Sequence, residues 1–304
     1  MKQLLDLYAK ASFIRAFELH IAVASEAGHV PGLVHLCSGA ELVEVAVCSM
    51  LSGPKDQVTG SHRSHGIALA MGADPVAVAA EILGRVGGLS KARGGTQHLI
   101  APESGFLASN GIVGAQVPLA AGAALTAKTK GTEGIAVTFF GDGAANQGAV
   151  LETMNLAVAL ELPLLFVLEN NGLGQSTSAS YASGDADLLV RAESFGLKTA
   201  AVDGYDGEGA LKVAAELVEF VRSTGRPAFI EASVPRLSGH YFGEKADYLA
   251  HHLADDPLTD LAEKLDTEAC SAVRAEAEKA AQDAVTEALN MAEACPAPSS
   301  GATL

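Results

Sequence analysis

One stretch, Ile135 to Gln175 (IAVTFFGDGAANQGAVLETMNLAVALELPLLFVLENNGLGQ), leaves few folds open. Its apolar runs Ile135 to Phe140 and Leu164 to Leu168 are short enough for strands buried on both faces. Between them, Val150, Met154, Ala157 and Leu160 recur at helical spacing. The pattern predicts one βαβ unit. Right-handed crossover puts both strand ends at the carboxyl edge of one parallel sheet, where ligands bind in folds of this kind.

The chain turns there through Gly-Asp-Gly and Glu-Asn-Asn. Gly141 and Gly143 permit close backbone approach, yet the charge on Asp142 repels a bare phosphate, so a cation is expected between them. Asp142 offers a carboxylate oxygen, Asn171 a carboxamide oxygen, and the loop near Leu173 a carbonyl. Hard oxygen donors suit Mg²⁺ or Ca²⁺, and Mg²⁺ completes its shell with phosphate oxygens and water. Each turn alone also reads as ordinary loop punctuation. It is the pairing that points to a ligand.

Strand and helix patterns alternate along the rest of the chain, which predicts an α/β fold with a mostly parallel central sheet and helices on both faces. Helices are expected over 1–27, 74–85, 187–195 and 208–222, and one starting from ASNGIVGAQVPLAAGAALTAK, whose surface is nearly all Ala and Gly. The last strand is PAFIEASV. Residues 1–294 read as one domain ending in an amphipathic helix or helix pair over 261–294, with 295–304 as a disordered tail. GGLSKARGGTQH reads as a Gly-rich basic loop around Lys91, Arg93 and His98, and GLGQSTSASYASGD, beyond Asn171, as a polar loop that a ligand would order.

In VTGSHRSHG, a metal pair of His62 and His65 would need one helical face, which Gly60 and Gly66 do not secure. Arg63 between them suits a diphosphate oxygen, since its guanidinium stays charged and matches phosphate geometry. A net charge of -16 with only 20 Lys and Arg argues against nucleic acid or an anionic membrane as partner. No apolar run is long enough to span a bilayer, and Cys37, Cys48, Cys270 and Cys295 show no CxxC spacing, so a cytoplasmic chain with reduced thiols is expected.

GDGAANQG followed by ENNG resembles the thiamine diphosphate signature, and the chain from about Phe17 to Pro257 is similar to the α subunit of 2-oxo acid or acetoin dehydrogenase E1 components. The resemblance implies a thiamine diphosphate-binding fold, with Mg²⁺ on Asp142, Asn171 and Leu173. Cofactor contacts would come from His62, Arg63, the Gly141, Asp142, Gly143, Ala144 turn, and His240. Gly111 would meet the aminopyrimidine through its carbonyl, and Val113 would wedge the cofactor into a bend. Asn146 and Gln147 would open a crossover helix toward the diphosphate. His35, in GLVHL, and His62, His65 and His240 would face the chemistry. His62 stands where many pyruvate enzymes carry tyrosine, and histidine there is closer to acetoin dehydrogenase α chains.

The implied partners are a β subunit in an α2β2 heterotetramer, the lipoyl domain of an E2 acyltransferase, and a small ketone or 2-oxo acid substrate. The text YFGEKADY departs from the family's acidic loop, which leaves lipoyl docking and the choice among pyruvate, acetoin and branched substrates open. A rival NAD-binding reading with Glu169 on a ribose fails the glycine fingerprint at Asn146. A third reading is a non-catalytic relative that keeps the fold.

Overall fold

The computed structural model describes residues 1–184, 186–245, 248, 255–265 and 267–294. In chain order, α1 (Lys2–Glu26) and α2 (Glu41–Cys48) lead to β1 (Gln57–Gly60), followed by α3 (His65–Ala70), α4 (Pro75–Ile82) and β2 (Phe106–Ser109). Next come α5 (Gln116–Lys130), β3 (Ala136–Gly141), α6 (Gly148–Ala159), β4 (Leu164–Asn170) and a two-strand hairpin, β5 (Leu173–Gly174) and β6 (Thr177–Ser178). The chain continues through α7 (Ala179–Ser183), α8 (Leu188–Ser194), β7 (Lys198–Asp203), α9 (Gly207–Thr224) and β8 (Ala228–Ser233), then α10 (Pro257–Lys264) and α11 (Thr267–Asn290). The segment expected to be a disordered tail, 295–304, lies outside the described residues.

Six strands form a parallel sheet in the order β2-β1-β3-β4-β8-β7. Alternation along the central strands divides the core between the two faces. Val137, Phe139, Leu165 and Val167 face the cluster built with α1, α2 and α9, whereas Ala136, Phe140, Leu164, Phe166 and Leu168 face α5, α6 and α8. Both faces are covered, and this is why the strands read as continuous apolar runs. From β1 the chain crosses outward to β2, and from β3 it crosses the opposite way to β4. The switch point therefore lies between β1 and β3, and a crevice is expected beyond their carboxyl ends.

Two segments differ from expectation. Phe106–Ser109 is an edge strand and α5 begins only at Gln116, because four residues are too short for a strand period to stand out beside an Ala-rich helix. The polar loop beyond Asn171 folds into the β5–β6 hairpin and α7, with Ser178 capping α7 through the Tyr181 N–H. The Gly-rich basic loop is pinned from below. Buried Glu81 on α4 accepts N–H groups from Ser90, Ala92, Gly94 and Gly95.

Ion pairs tie the helical shell to the sheet. Arg15 on α1 reaches Glu41 on α2 at 2.5 Å and Asp256, the N-cap of α10, at 2.6 Å. Asp56, fully buried ahead of β1, takes both Arg222 guanidinium nitrogens at 2.9 and 2.7 Å and the N–H groups of Ser52 and Ile135. Among the described residues no helix is long and apolar enough to cross a membrane.

Candidate active site

A cavity of about 330 Å³ opens at the predicted crevice. Its walls are the segments that leave the carboxyl ends of the strands: Ser61 to Arg63 after β1, Asn110 and Ile112 to Gly114 after β2, Gly141 to Ala144 after β3, Asn171 and Leu173 to Gln175 after β4, and Val234 to Arg236 with His240 after β8. Parallel register sets β3 beside β4, with Gly141 opposite Glu169. The two polar turns thus become neighbours. A Cβ built on Gly143 would lie 3.4 Å from the Gly174 Cα, an ordinary contact distance, so the two turns pack directly against each other.

Asp142 is 2% exposed, and its Oδ2 has no hydrogen-bond partner. Burial raises its pKa above the ordinary carboxylate value, while backbone N–H groups at Asp142 and Asn171 work against that rise. Asn171 lines the same cavity, with its Oδ1 accepting the Leu173 N–H at 3.1 Å, and the Leu173 carbonyl points toward the Arg236 guanidinium at 3.4 Å. A buried carboxylate oxygen without a partner beside two further oxygen donors is the arrangement a hard divalent cation would complete.

Two guanidinium groups also line the cavity. Arg63 donates to the Leu36 carbonyl at 2.5 Å and the His240 carbonyl at 2.9 Å. Arg236, 8% exposed, donates to the Gln175 carbonyl at 3.0 Å and stands 5.6 Å from the Tyr248 ring centre. Among the described residues neither forms an ion pair with a carboxylate. Burial, and after it the charge of Arg236, lowers the Arg63 pKa. Two guanidinium groups that line one cavity and are engaged by carbonyls and the Tyr248 hydroxyl, with no carboxylate among the described residues to neutralise them, favour an anion between them.

Glu169 completes the floor. It is 6% exposed, its Oε1 has no partner, and burial pushes its pKa up to about 8, with Arg63 acting in the opposite direction. Beneath it lies Glu44, fully buried, with both oxygens unpartnered and its pKa well above the ordinary value through burial and then Glu169. Glu169 raises Glu44, and burial raises both, so the floor tends to hold protons rather than charge.

The four expected histidines do not all gather. His62 and His240 line the cavity, and His35, 6% exposed, packs edge-on against both. Burial and then Arg63 lower the His35 pKa to about 3 and the His62 pKa to about 2, and depress His240 as well, so these rings are uncharged at neutral pH. His65 is placed elsewhere. It is completely buried on α3, with Nδ1 2.8 Å from Glu18 Oε1 and Nε2 2.7 Å from Thr96 Oγ1, and it does not line the cavity. Burial alone would lower its pKa, but Glu18 holds it above the ordinary value.

Val113 is 53% exposed at the cavity rim beside Ile112, while Gly111 is flanked by lining residues without itself lining the wall. Ala144 begins a 3-10 turn, and α6 starts at Gly148. Asn146 is engaged with Ser183 and Arg191, and neither it nor Gln147 lines the cavity. Arg236 and the cavity-floor role of Glu169 escaped sequence reasoning. The only signal for Arg236 was a cation just past a buried strand.

The dehydrogenase E1 component family model matches residues 9–300. The chain is 40% identical over 253 residues to the α subunit of acetoin:2,6-dichlorophenolindophenol oxidoreductase from Cupriavidus necator, covering 83% of this chain and 76% of that protein. It is 42% identical over 242 residues to the protein of the same description from Bacillus subtilis, covering 80% and 72%. With the pyruvate dehydrogenase E1 component α subunit of Zymomonas mobilis it shares 37% identity over 306 residues, covering 98% of this chain and 86% of that one. A cavity that asks for a cation and an anion together, on a parallel sheet spanned by this match, belongs to a chain of the dehydrogenase E1 component family.

Proposed function

We propose that this chain is the α subunit of a thiamine diphosphate-dependent dehydrogenase E1 component, an oxidoreductase acting on pyruvate or acetoin. It would hold Mg²⁺ through the Asp142 and Asn171 side chains and the Leu173 carbonyl. One observation carries the reading: an unpartnered buried carboxylate oxygen on Asp142 and two unpaired guanidinium groups, Arg63 and Arg236, line one cavity. A metal diphosphate satisfies both at once. A dinucleotide pyrophosphate without a metal would leave Asp142 repelling it.

When bound, the coenzyme supplies the carbanion-stabilising thiazolium, and this chain supplies binding and orientation. Arg63 and Arg236 would neutralise diphosphate oxygens with charge-assisted hydrogen bonds. The Gly141 to Ala144 turn would let the backbone approach the diphosphate, and Gly111 and Val113 would meet the pyrimidine end at the rim. His62 and His240, uncharged at neutral pH, would accept or relay a proton at a ring nitrogen beside the substrate, with His35 packed against them. His65 would hold α3 and the Arg63 loop from behind through Glu18 rather than touch substrate.

A second polypeptide fits the rim. Ile112 is 67% exposed, and Leu119 and Leu125 stand exposed on α5 beside open space at Gly122. Aliphatic exposure next to a half-built site supports a β subunit that completes the pyrimidine end in a heterotetramer. Transfer of the acyl fragment to an E2 lipoyl domain, and a cytoplasmic location in keeping with the buried reduced thiols of Cys37 and Cys48, belong to the same proposal.

Titration calorimetry tests it. Thiamine diphosphate should bind the purified chain, alone or with its partner, only when Mg²⁺ is present, and NAD should give no heat. NAD binding, or thiamine diphosphate binding that ignores Mg²⁺, would overturn the assignment.

A further inference from the structure

His62 and His65 look from the sequence like a poor metal pair, and the structure separates them by committing His65 to Glu18 and Thr96. His62 instead meets two histidines from distant loops: His35, ahead of α2, and His240, beyond β8. The ring centres are 4.6 Å apart for His35–His62, 4.9 Å for His35–His240 and 5.3 Å for His62–His240. One ring nitrogen from each lies within 4.8 Å of the others. His62 Nε2 is buried without a hydrogen-bond partner, and the His35 ring meets the Gln97 amide at 3.5 Å and the Leu33 backbone. The backbone that carries the third ring is preformed, since Glu244 Oε2 accepts the His240 N–H at 2.6 Å and Arg63 donates to the His240 carbonyl at 2.9 Å.

We propose that His35, His62 and His240 form a binding site for a borderline-soft divalent ion of the Zn²⁺, Co²⁺ and Ni²⁺ class, separate from the oxygen donors of Asp142 and Asn171. Uncharged imidazoles are the ligand set such ions prefer, and the same set discriminates against Mg²⁺, which selects oxygen. Zn–N bonds of about 2.0–2.1 Å bring tetrahedral ligands to roughly 3.4 Å from one another, so the rings must draw together by about 1.5 Å. The His62 ring, whose Nε2 has no partner, can make most of that movement by side-chain rotation. With three nitrogens from the protein, the fourth position opens into the cavity that His62 and His240 line. Arg63 beside the cluster opposes any cation, so the site is weaker than a structural zinc centre. An ion there takes up the ring nitrogens that the proposed function gives to proton transfer, so it competes with substrate for His62 and His240.

Cobalt provides the readout. The full-length chain in excess Mg²⁺ is titrated with Co²⁺ while visible absorption is followed, because low-coordinate Co²⁺ on nitrogen ligands absorbs far more strongly than the hydrated ion. The expected result is an intense band saturating at one Co²⁺ per chain and abolished by Zn²⁺. His62→Tyr and His240→Asn, each verified as folded by circular dichroism, should weaken Co²⁺ binding by at least about tenfold, since even loss of an outer-shell partner costs about 10- to 100-fold. Asp142→Ala should leave the band in place. Substitutions on two separate loops keep the test decisive if one of them fails to fold. Absence of the band, its displacement by Mg²⁺, or wild-type affinity in the folded histidine variants would overturn the proposal.

Discussion

Asp142→Ala should make the ligand-free chain more stable while removing its response to the coenzyme. In the wild-type chain a carboxylate that is 2% exposed keeps one oxygen without a partner. Leaving such a buried polar atom unsatisfied costs about 1–3 kcal/mol, and more when it is charged. Truncation to Ala releases that cost without opening an enclosed void, because the side chain already borders a cavity. A gain of about 2 kcal/mol corresponds to a rise of about 4 °C in melting temperature for a chain of this size. Mg²⁺ with thiamine diphosphate at about a hundred times its dissociation constant should add about 2.7 kcal/mol to the wild type and nothing to the variant. Differential scanning fluorimetry with and without both ligands reads the two effects together. A variant that melts below the wild type yet keeps the ligand-induced shift would refute the reasoning on both counts.

Three further outcomes are expected. Arg63→Gln and Arg236→Gln should each weaken thiamine diphosphate binding by about 1.5–3 kcal/mol in calorimetry, the worth of a hydrogen bond to a charged group. Because the folded chain keeps the Glu169 proton up to about pH 8, whereas an unfolded chain releases it near the ordinary glutamate value, this group's stabilising contribution falls as pH rises between those limits. The fall is on the order of 1.4 kcal/mol per pH unit, and Glu169→Gln should flatten that part of the stability profile in urea titrations. Asp56→Ala should destabilise the fold by about 3–5 kcal/mol in the same titrations, since it strands the Arg222 guanidinium and two N–H groups.

What could be read ahead of the structure is what is local along the chain. The βαβ unit and its two polar turns lie within one continuous stretch, and parallel register carries them to the same cavity without further information. The α/β class followed from strands that are apolar throughout because both sheet faces are covered. What could not be read depends on contacts between distant segments. His65 sits beside Arg63 in sequence, yet whether it faces the cavity was decided by Glu18 on α1. Arg236 and Glu169 gain meaning only when five loops converge, and the meeting of His35, His62 and His240 joins two of those loops to the connection between α1 and α2. The edge strand Phe106–Ser109 is too short to show a period, and the hairpin after Asn171 is held by backbone pairing that polar composition does not announce.

The central claim is a divalent ion gripped between the tips of β3 and β4, with the anionic end of the coenzyme on its far side. A crystal structure of the chain grown with thiamine diphosphate and Mn²⁺ in place of Mg²⁺ tests this directly, because the anomalous signal of Mn²⁺ locates the ion independently of any built coordinates. A peak within bonding distance of an Asp142 carboxylate oxygen, the Asn171 amide oxygen and the Leu173 carbonyl, with diphosphate oxygens completing its shell, is the predicted result. A peak elsewhere, or a diphosphate bound with no metal contact to Asp142, would contradict it.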